Sequence, residues 1–242
     1  MLVNYIGQTL GIILDNLGCI TLFASLKGTS KLDLIEYLSN NFYTKEELLN
    51  LTKISEQVLI KYQQSGLMPK ASYTLELDIG SDSFFGSHTE KHKKEYYAKG
   101  YVSWLGFIHT ARNKDNVYRE FSSRYINALD ELRVEGHSSS NSKLTTGVAN
   151  HIEEEWGHFI NGIYGLCTKT GLPEDIAAKE FAVLEINELL ELERLTDKQI
   201  EQLTLAVNLL DSASSMFAPH ERLQSSRHRL VDEVRRKYKL PS

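Results

Sequence analysis

Between Val117 and Leu132 an apolar residue returns every three to four positions, at Val117, Phe121, Tyr125, Leu129 and Leu132. That interval is the period of an α-helix with one apolar stripe, and a stripe of that kind must be buried against other helices. The pattern recurs downstream. Ile152, Trp156, Phe159, Ile163 and Leu166 form one such stretch. Pro173, in the favoured first-turn position, opens another carrying Ile176, Phe181, Leu184 and Leu190. Thr196 and Gln199 form a capping box ahead of Ile200, Leu203, Val207 and Leu210. Only four prolines interrupt 242 residues, and at 41% hydrophobic the chain can enclose a core of its own. The expected fold is therefore mainly α, with a helical-bundle-like domain over residues 101–242.

The first third is punctuated differently. Tyr5 to Leu26 is mostly apolar with one charge, Asp15, and no Lys or Arg precedes Lys27. A signal peptide needs a basic start, and Asp15 and Asn16 break the run a membrane span would need. Residues 1–31 are read as a packed apolar extension, and no membrane partner is expected. Leu32 to Asn41 reads as a helix. Thr44-Lys45-Glu46-Glu47 is a capping box, Ser55 caps a second short helix, and Gly66 stops it before Leu67-Met68-Pro69. Tyr73, Leu75, Leu77 and Ile79 then alternate with polar residues, which is the period of a half-buried strand. Gly80 to Lys94 has no periodicity, so residues 81–100 are read as a connecting loop and domain boundary. Gly136 to Gly147, rich in Ser and Thr, is expected to be a mobile connection.

The segment Phe42-Tyr43-Thr44-Lys45-Glu46-Glu47-Leu48, with Ile54-Ser55, Tyr62 and Gly66-Leu67-Met68-Pro69, resembles the start of a MerR-type winged helix-turn-helix. The resemblance implies such a module over residues 32–80, in which the second helix and the wing read DNA. Electrostatics argue the other way. From Thr44 to Lys70, Lys45, Lys53, Lys61 and Lys70 face Glu46, Glu47 and Glu56, a net of +1, and the strand adds Glu76 and Asp78. Duplex binding normally draws on several phosphate contacts from Lys or Arg. Gln57, Lys61 and Gln64 are the side chains that would meet DNA if it bound.

The most chemically suggestive stretch is His151-Ile152-Glu153-Glu154-Glu155-Trp156-Gly157-His158. On a helix, His151, Glu155 and His158 fall within roughly 60° of arc beside an apolar face. Such a set suits an acid–base pair, with Glu155 and His158 as the catalytic candidates. It also suits a divalent metal, zinc or iron, held by His151, Glu155 and His158. Metal-binding bundles draw ligands from further helices, and Glu180, Glu185, Glu188, His220 and Glu221 are the acids and imidazole available. The bland alternative is a set of ordinary hydrogen bonds and ion pairs along an acidic helix. His88 and His92, also four apart, are read as solvated, and Cys19 and Cys167 as thiols of a reducing cytoplasm.

Thirteen acids face four bases between His151 and Asp211, whereas seven bases face three acids between Pro219 and Lys239. A terminal helix clamped to an acidic bundle by ion pairs follows from that asymmetry. The sharper reading gathers Arg222, Ser226, Arg227 and Arg229 around a phosphate or carboxylate. Trp156-Gly157-His158-Phe159, Tyr164-Gly165-Leu166-Cys167, Phe217-Ala218-Pro219-His220-Glu221-Arg222 and Ser225-Ser226-Arg227 are similar to phrases of an uncharacterised bacterial family of unknown function, loosely named natural-product biosynthesis proteins. The similarity runs from about Leu34 to the end of the chain. It implies an enzyme or accessory protein acting on a small molecule, with no reaction or cofactor attached, and the cysteine usage places it in the cytoplasm. The alternatives are a DNA-binding regulator that senses a ligand in its helical domain, and a non-catalytic adaptor that works through a pathway protein or a second copy of itself.

Overall fold

A computed structural model describes residues 9–10, 24–25, 31–111 and 113–241. Two short strands, β1 (Thr9–Leu10) and β2 (Ala24–Ser25), pair antiparallel, and the rest of the apolar extension lies outside the described residues. From Lys31 the chain is mainly helical with one small three-stranded sheet. No helix of the described residues is long and apolar enough to cross a membrane.

Helix α1 (Lys31–Asn41) runs into a short strand, β3 (Phe42–Thr44), and then into α2 (Lys45–Thr52) and α3 (Glu56–Gln64). The capping box forms as its residue types require: Glu47 donates its backbone N–H to Thr44 Oγ1, and the Glu47 carboxylate accepts the Thr44 N–H at 2.8 Å. Ser55 caps α3, and Gly66, at φ +64°, turns the chain out of it while Leu67 N–H reaches back to the Tyr62 carbonyl.

The stretch read as a connecting loop is instead most of a hairpin. Strands β4 (Tyr73–Ser83) and β5 (Gly86–Ala98) pair antiparallel along their whole length, and β3 adds to the base of β5. Their register sets Glu76 opposite Lys93 and Asp78 opposite Lys91, with Phe84 and Phe85 fully exposed at the tip. Beyond the root both faces of this arm meet solvent, so the sequence shows no alternation there although the backbone is extended.

The helical part comprises α4 (Tyr101–Ala111), α5 (Lys114–Val134), α6 (Val148–Ile160), α7 (Ile163–Cys167), α8 (Pro173–Leu190) and α9 (Asp197–Ala213). A continuous helical stretch follows from Ser226, with a π-helical segment at His228–Asp232 before α10 (Glu233–Tyr238). One apolar core joins the two halves of the chain. Leu48, Leu59 and Met68 pack in the same cluster as Trp104, Phe121, Phe159 and Ile176, and Trp104 Nε1 donates to the Leu67 carbonyl at 3.0 Å. A second cluster joins α8 and α9 to Leu230, Val231 and Val234, and a third gathers Tyr37, Leu38, Phe42 and Tyr96 around Ala218.

Residues 136–147 are not the free connection their Ser and Thr content suggests. Ser138 N–H donates to Glu185, and Ser140 donates its N–H and hydroxyl to Glu188. Leu144 is buried, and its carbonyl accepts Arg133 at 2.6 Å. A polar connection becomes rigid when its donors find acceptors on a neighbouring helix.

Candidate functional site

Helix α6 turns Ile152, Trp156 and Phe159 into the aromatic core and carries His151 and Glu155 in with them, 3% and 4% exposed. Four other elements close over this pair. Tyr125 of α5 sets its hydroxyl 3.4 Å from His151 Nε2, and Glu180 of α8 places a carboxylate oxygen 3.7 Å from the same nitrogen. Tyr164 of α7 donates its hydroxyl to Glu155 Oε2. Lys143, from the 3₁₀ turn before α6, holds Glu180 at 3.2 Å. His158 lies on the solvent side with half its side chain exposed, its Nδ1 3.6 Å from Glu155 Oε1.

Burial raises the Glu155 carboxyl above its ordinary value; the Tyr164 hydroxyl and the charges of His151 and His158 oppose that shift without cancelling it. Tyr164 and Tyr125 are raised as well, by burial first and by the Glu155 charge second, so both phenols stay neutral donors. His151 Nδ1 is buried without a hydrogen bond, 3.9 Å from Glu155 Oε1. A sheltered carboxyl whose proton affinity burial has raised, with one imidazole behind it and a second at the surface, is an arrangement suited to proton transfer.

His151, Glu155 and His158 share a face as their spacing requires, yet they do not assemble the expected zinc or iron centre. Among the described residues no group of three or more His, Cys, Asp or Glu side chains is placed to hold a metal ion. Tyr164 occupies one Glu155 oxygen, His151 Nε2 faces Tyr125 and Glu180, and His158 looks outward. Of the other acids considered, only Glu180 reaches this cluster. Glu185 accepts His137 Nδ1 at 2.7 Å in a separate buried network, Glu188 serves Ser140, and Glu221 accepts the Tyr73 hydroxyl at 2.6 Å.

The basic residues do not converge either. Arg227 pairs with Asp211 and donates to its carbonyl, and Arg235 takes the other Asp211 oxygen at 2.6 Å. Burial pushes Asp211 up, but the bonds from Arg235 and Arg227 outweigh it and hold the carboxyl below its ordinary value. This is the ion-pair clamp that the charge asymmetry implied, with Arg235 as a partner that counting did not single out. Arg222 spends its Nε on the Met216 carbonyl at 3.3 Å, Ser226 is half-buried, and the exposed Arg229 borders a shallow hollow with Asn187 and Glu233. The neighbouring Ser225 is the buried hydroxyl that caps the last helical stretch, accepting His228 N–H at 3.0 Å.

On the other half of the molecule, Gln57, Lys61 and Gln64 lie together on the exposed side of α3, while Gln63 points inward to the Pro69 carbonyl and the Tyr97 hydroxyl. Lys45 is held by Glu56 and Glu95. Lys91, Lys93 and Lys94 stand on β5, a strand the sequence reading had not recognised.

Comparison with curated proteins and with solved structures found no match. A family model described as "Family of unknown function (DUF6058)" matches residues 117–239, just over half of the chain. The matched stretch starts in α5 and ends after α10. It holds the Glu155 cluster, the His137–Glu185 network and the Asp211 clamp, and on that match the chain belongs to this family of unknown function.

Proposed function

We propose that this protein acts on a small molecule by general acid–base chemistry at Glu155, in the setting of bacterial natural-product biosynthesis that the sequence resemblance implies. The observation that carries the proposal is the buried Glu155 carboxyl with a raised pKa, hydrogen-bonded by Tyr164 on one oxygen and facing the surface imidazole of His158 on the other. Glu155, whose proton affinity burial raises, is the acid–base group, and His158 links it to substrate or solvent. Tyr164 fixes the carboxyl plane, and His151 is the internal base behind it. Groups with perturbed protonation in sheltered positions cluster at reactive sites.

The test is genetic and chemical together. In the producing strain with its own copy deleted, Glu155→Gln and His158→Ala chains that accumulate normally should lower the pathway product by about tenfold or more, in keeping with the contribution of acid–base groups. Full product from both variants would overturn the proposal.

A second reading, DNA binding through a winged helix-turn-helix, is supported by the shared exposure of Gln57, Lys61 and Gln64 on α3 and by a hairpin whose second strand carries Lys91, Lys93 and Lys94. Charge weighs against it, since residues 42–98 carry seven lysines and eight acids. This reading expects a salt-sensitive mobility shift with upstream DNA that Lys91→Glu and Lys93→Glu together remove. A flat titration at low salt excludes it.

A further inference from the structure

A cavity of about 300 Å3 lies where α1, the end of β5, α7 and the end of α9 meet; none of the Glu155 cluster lines it, while Asp211 and Met216, which Arg227, Arg235 and Arg222 hold, do. Its lining includes Tyr37, Phe42, Ala98, Lys169, Ser214 and Met216. Clefts at the seam between two structural parts are where small ligands are most often held, and this volume is at the lower end of the usual range.

Two small residues, Ala98 and Gly165, are part of its lining. Gly165 is held as glycine by close packing behind that wall, where a side chain would meet Ser72 Oγ at 2.0 Å and the Tyr101 hydroxyl at 2.7 Å. One wall is aromatic: the rings of Tyr37 and Phe42 stand 5.9 Å apart in a tilted pair. At the rim, Met216 is half exposed, and the next residue, Phe217, is held at φ +55°, a conformation that a bulky side chain rarely adopts.

The polar side of the lining has one sign. Lys169, an exposed residue of the lining, makes no side-chain hydrogen bond or ion pair among the described residues, although its charge is felt by Asp175. The Ser214 hydroxyl is buried with no hydrogen-bond partner among the described residues, whereas the Tyr37 hydroxyl lies beside Ser215 and Tyr73. Asp211, the carboxylate of this wall, is already neutralised by Arg227 and Arg235. The lining therefore offers an ammonium free of hydrogen bonds and ion pairs among the described residues, one unpartnered hydroxyl and apolar surface, with the Asp211 charge compensated. We propose that this cavity binds a small organic carboxylate, its anionic group at Lys169 and Ser214 and its apolar body against Tyr37, Phe42 and Met216. The inference goes beyond acid–base chemistry at Glu155, and it is tested by binding alone.

The probe is phenylacetate, with phenylacetamide as its uncharged counterpart, followed by amide chemical-shift changes in the full chain. Phenylacetate should bind saturably at millimolar concentrations and shift the amides of Gly165, Lys169 and Ser214. Phenylacetamide should bind about tenfold more weakly, the scale of one lost charge-assisted contact. Lys169→Ala, a surface change that leaves the core intact, should remove the preference for the charged probe. Ala98→Leu, which adds bulk to the lining, should abolish binding of both; if that variant does not fold, Met216→Glu, which brings a negative charge to the rim, should weaken phenylacetate more than phenylacetamide. Three results would overturn the proposal: no saturable binding, shifts that map elsewhere, or equal affinity for the two probes in the unaltered chain.

Discussion

Replacing Glu185 with alanine should lower the stability of the protein by about 3–5 kcal/mol, a large part of the 5–15 kcal/mol that holds a domain together. Glu185 is 1% exposed and sits in the middle of α8, where a carboxylate is tolerated only if its oxygens are filled. They are: His137 Nδ1 lies 2.7 Å from one oxygen, Ser138 N–H donates to the other at 2.9 Å, and Gln202 of α9 donates to that same oxygen. Gln202 also donates to the Gly136 carbonyl, so one side chain ties α9, α8 and the connection together. Alanine would strand a buried imidazole and a backbone amide in addition to leaving a void, and stranded donors cost more than the bonds they had made. Glu185→Gln keeps an acceptor oxygen for Ser138 and should lose less than the alanine variant. Urea denaturation of the three proteins gives the ranking. Limited proteolysis gives a second reading, because the alanine variant should be cut between residues 136 and 147 where the parent resists. A loss below about 1 kcal/mol would place the network in the class of solvated pairs.

What the sequence made legible was local. Capping boxes at Thr44 and Thr196, Pro173 at a first turn and Gly66 beyond a last one are signals written within four residues, and each forms as expected. The arm of β4 and β5 was half missed for a physical reason. Period-two alternation records one buried face, which exists at Tyr73 to Leu77 and fades toward the tip. The cluster around Glu155 was legible only as far as one helix reaches. The four-residue interval between His151 and Glu155 gave that pair. Tyr125, Tyr164, Glu180 and Lys143 arrive from other elements at distances along the chain that no periodicity encodes. His158 shows the limit most clearly. Its angle on α6 is close to that of His151, but it stands about 10 Å further along the axis, where little covers the helix. Angle is encoded in spacing; cover is not. The arginines follow the same logic. Opposite charge totals foretold a clamp, but not that Asp211 would take Arg227 and Arg235 while Arg222 and Arg229 turned elsewhere.

The second large effect concerns Glu155 and runs in two directions at once. Glu155→Gln should make the folded protein more stable near neutral pH while lowering the reaction rate by about 10²–10⁴ if the group serves as general acid and base. The sign follows from the raised carboxyl. Below the ordinary value near 4.5 the folded and unfolded chains both hold the proton, so glutamate and glutamine differ little. As pH rises through 4.5, the unfolded chain ionises first while the folded chain keeps its proton, and the parent loses stability across that window up to the folded value. Above it the penalty of a buried charge is constant. Glutamine has no such window and still accepts the Tyr164 hydroxyl on its amide oxygen. Asp175 is also raised by burial and shifts parent and variant alike, so it cancels in the difference. Thermal melts of both proteins from pH 4 to pH 8 should coincide at the acid end and separate as pH rises, with the variant higher. A buried acid whose removal stabilises the fold is retained for some purpose other than folding. A variant that melts lower at neutral pH would instead make Glu155 a structural anion held by His151 and His158, and the acid–base reading would fall with it.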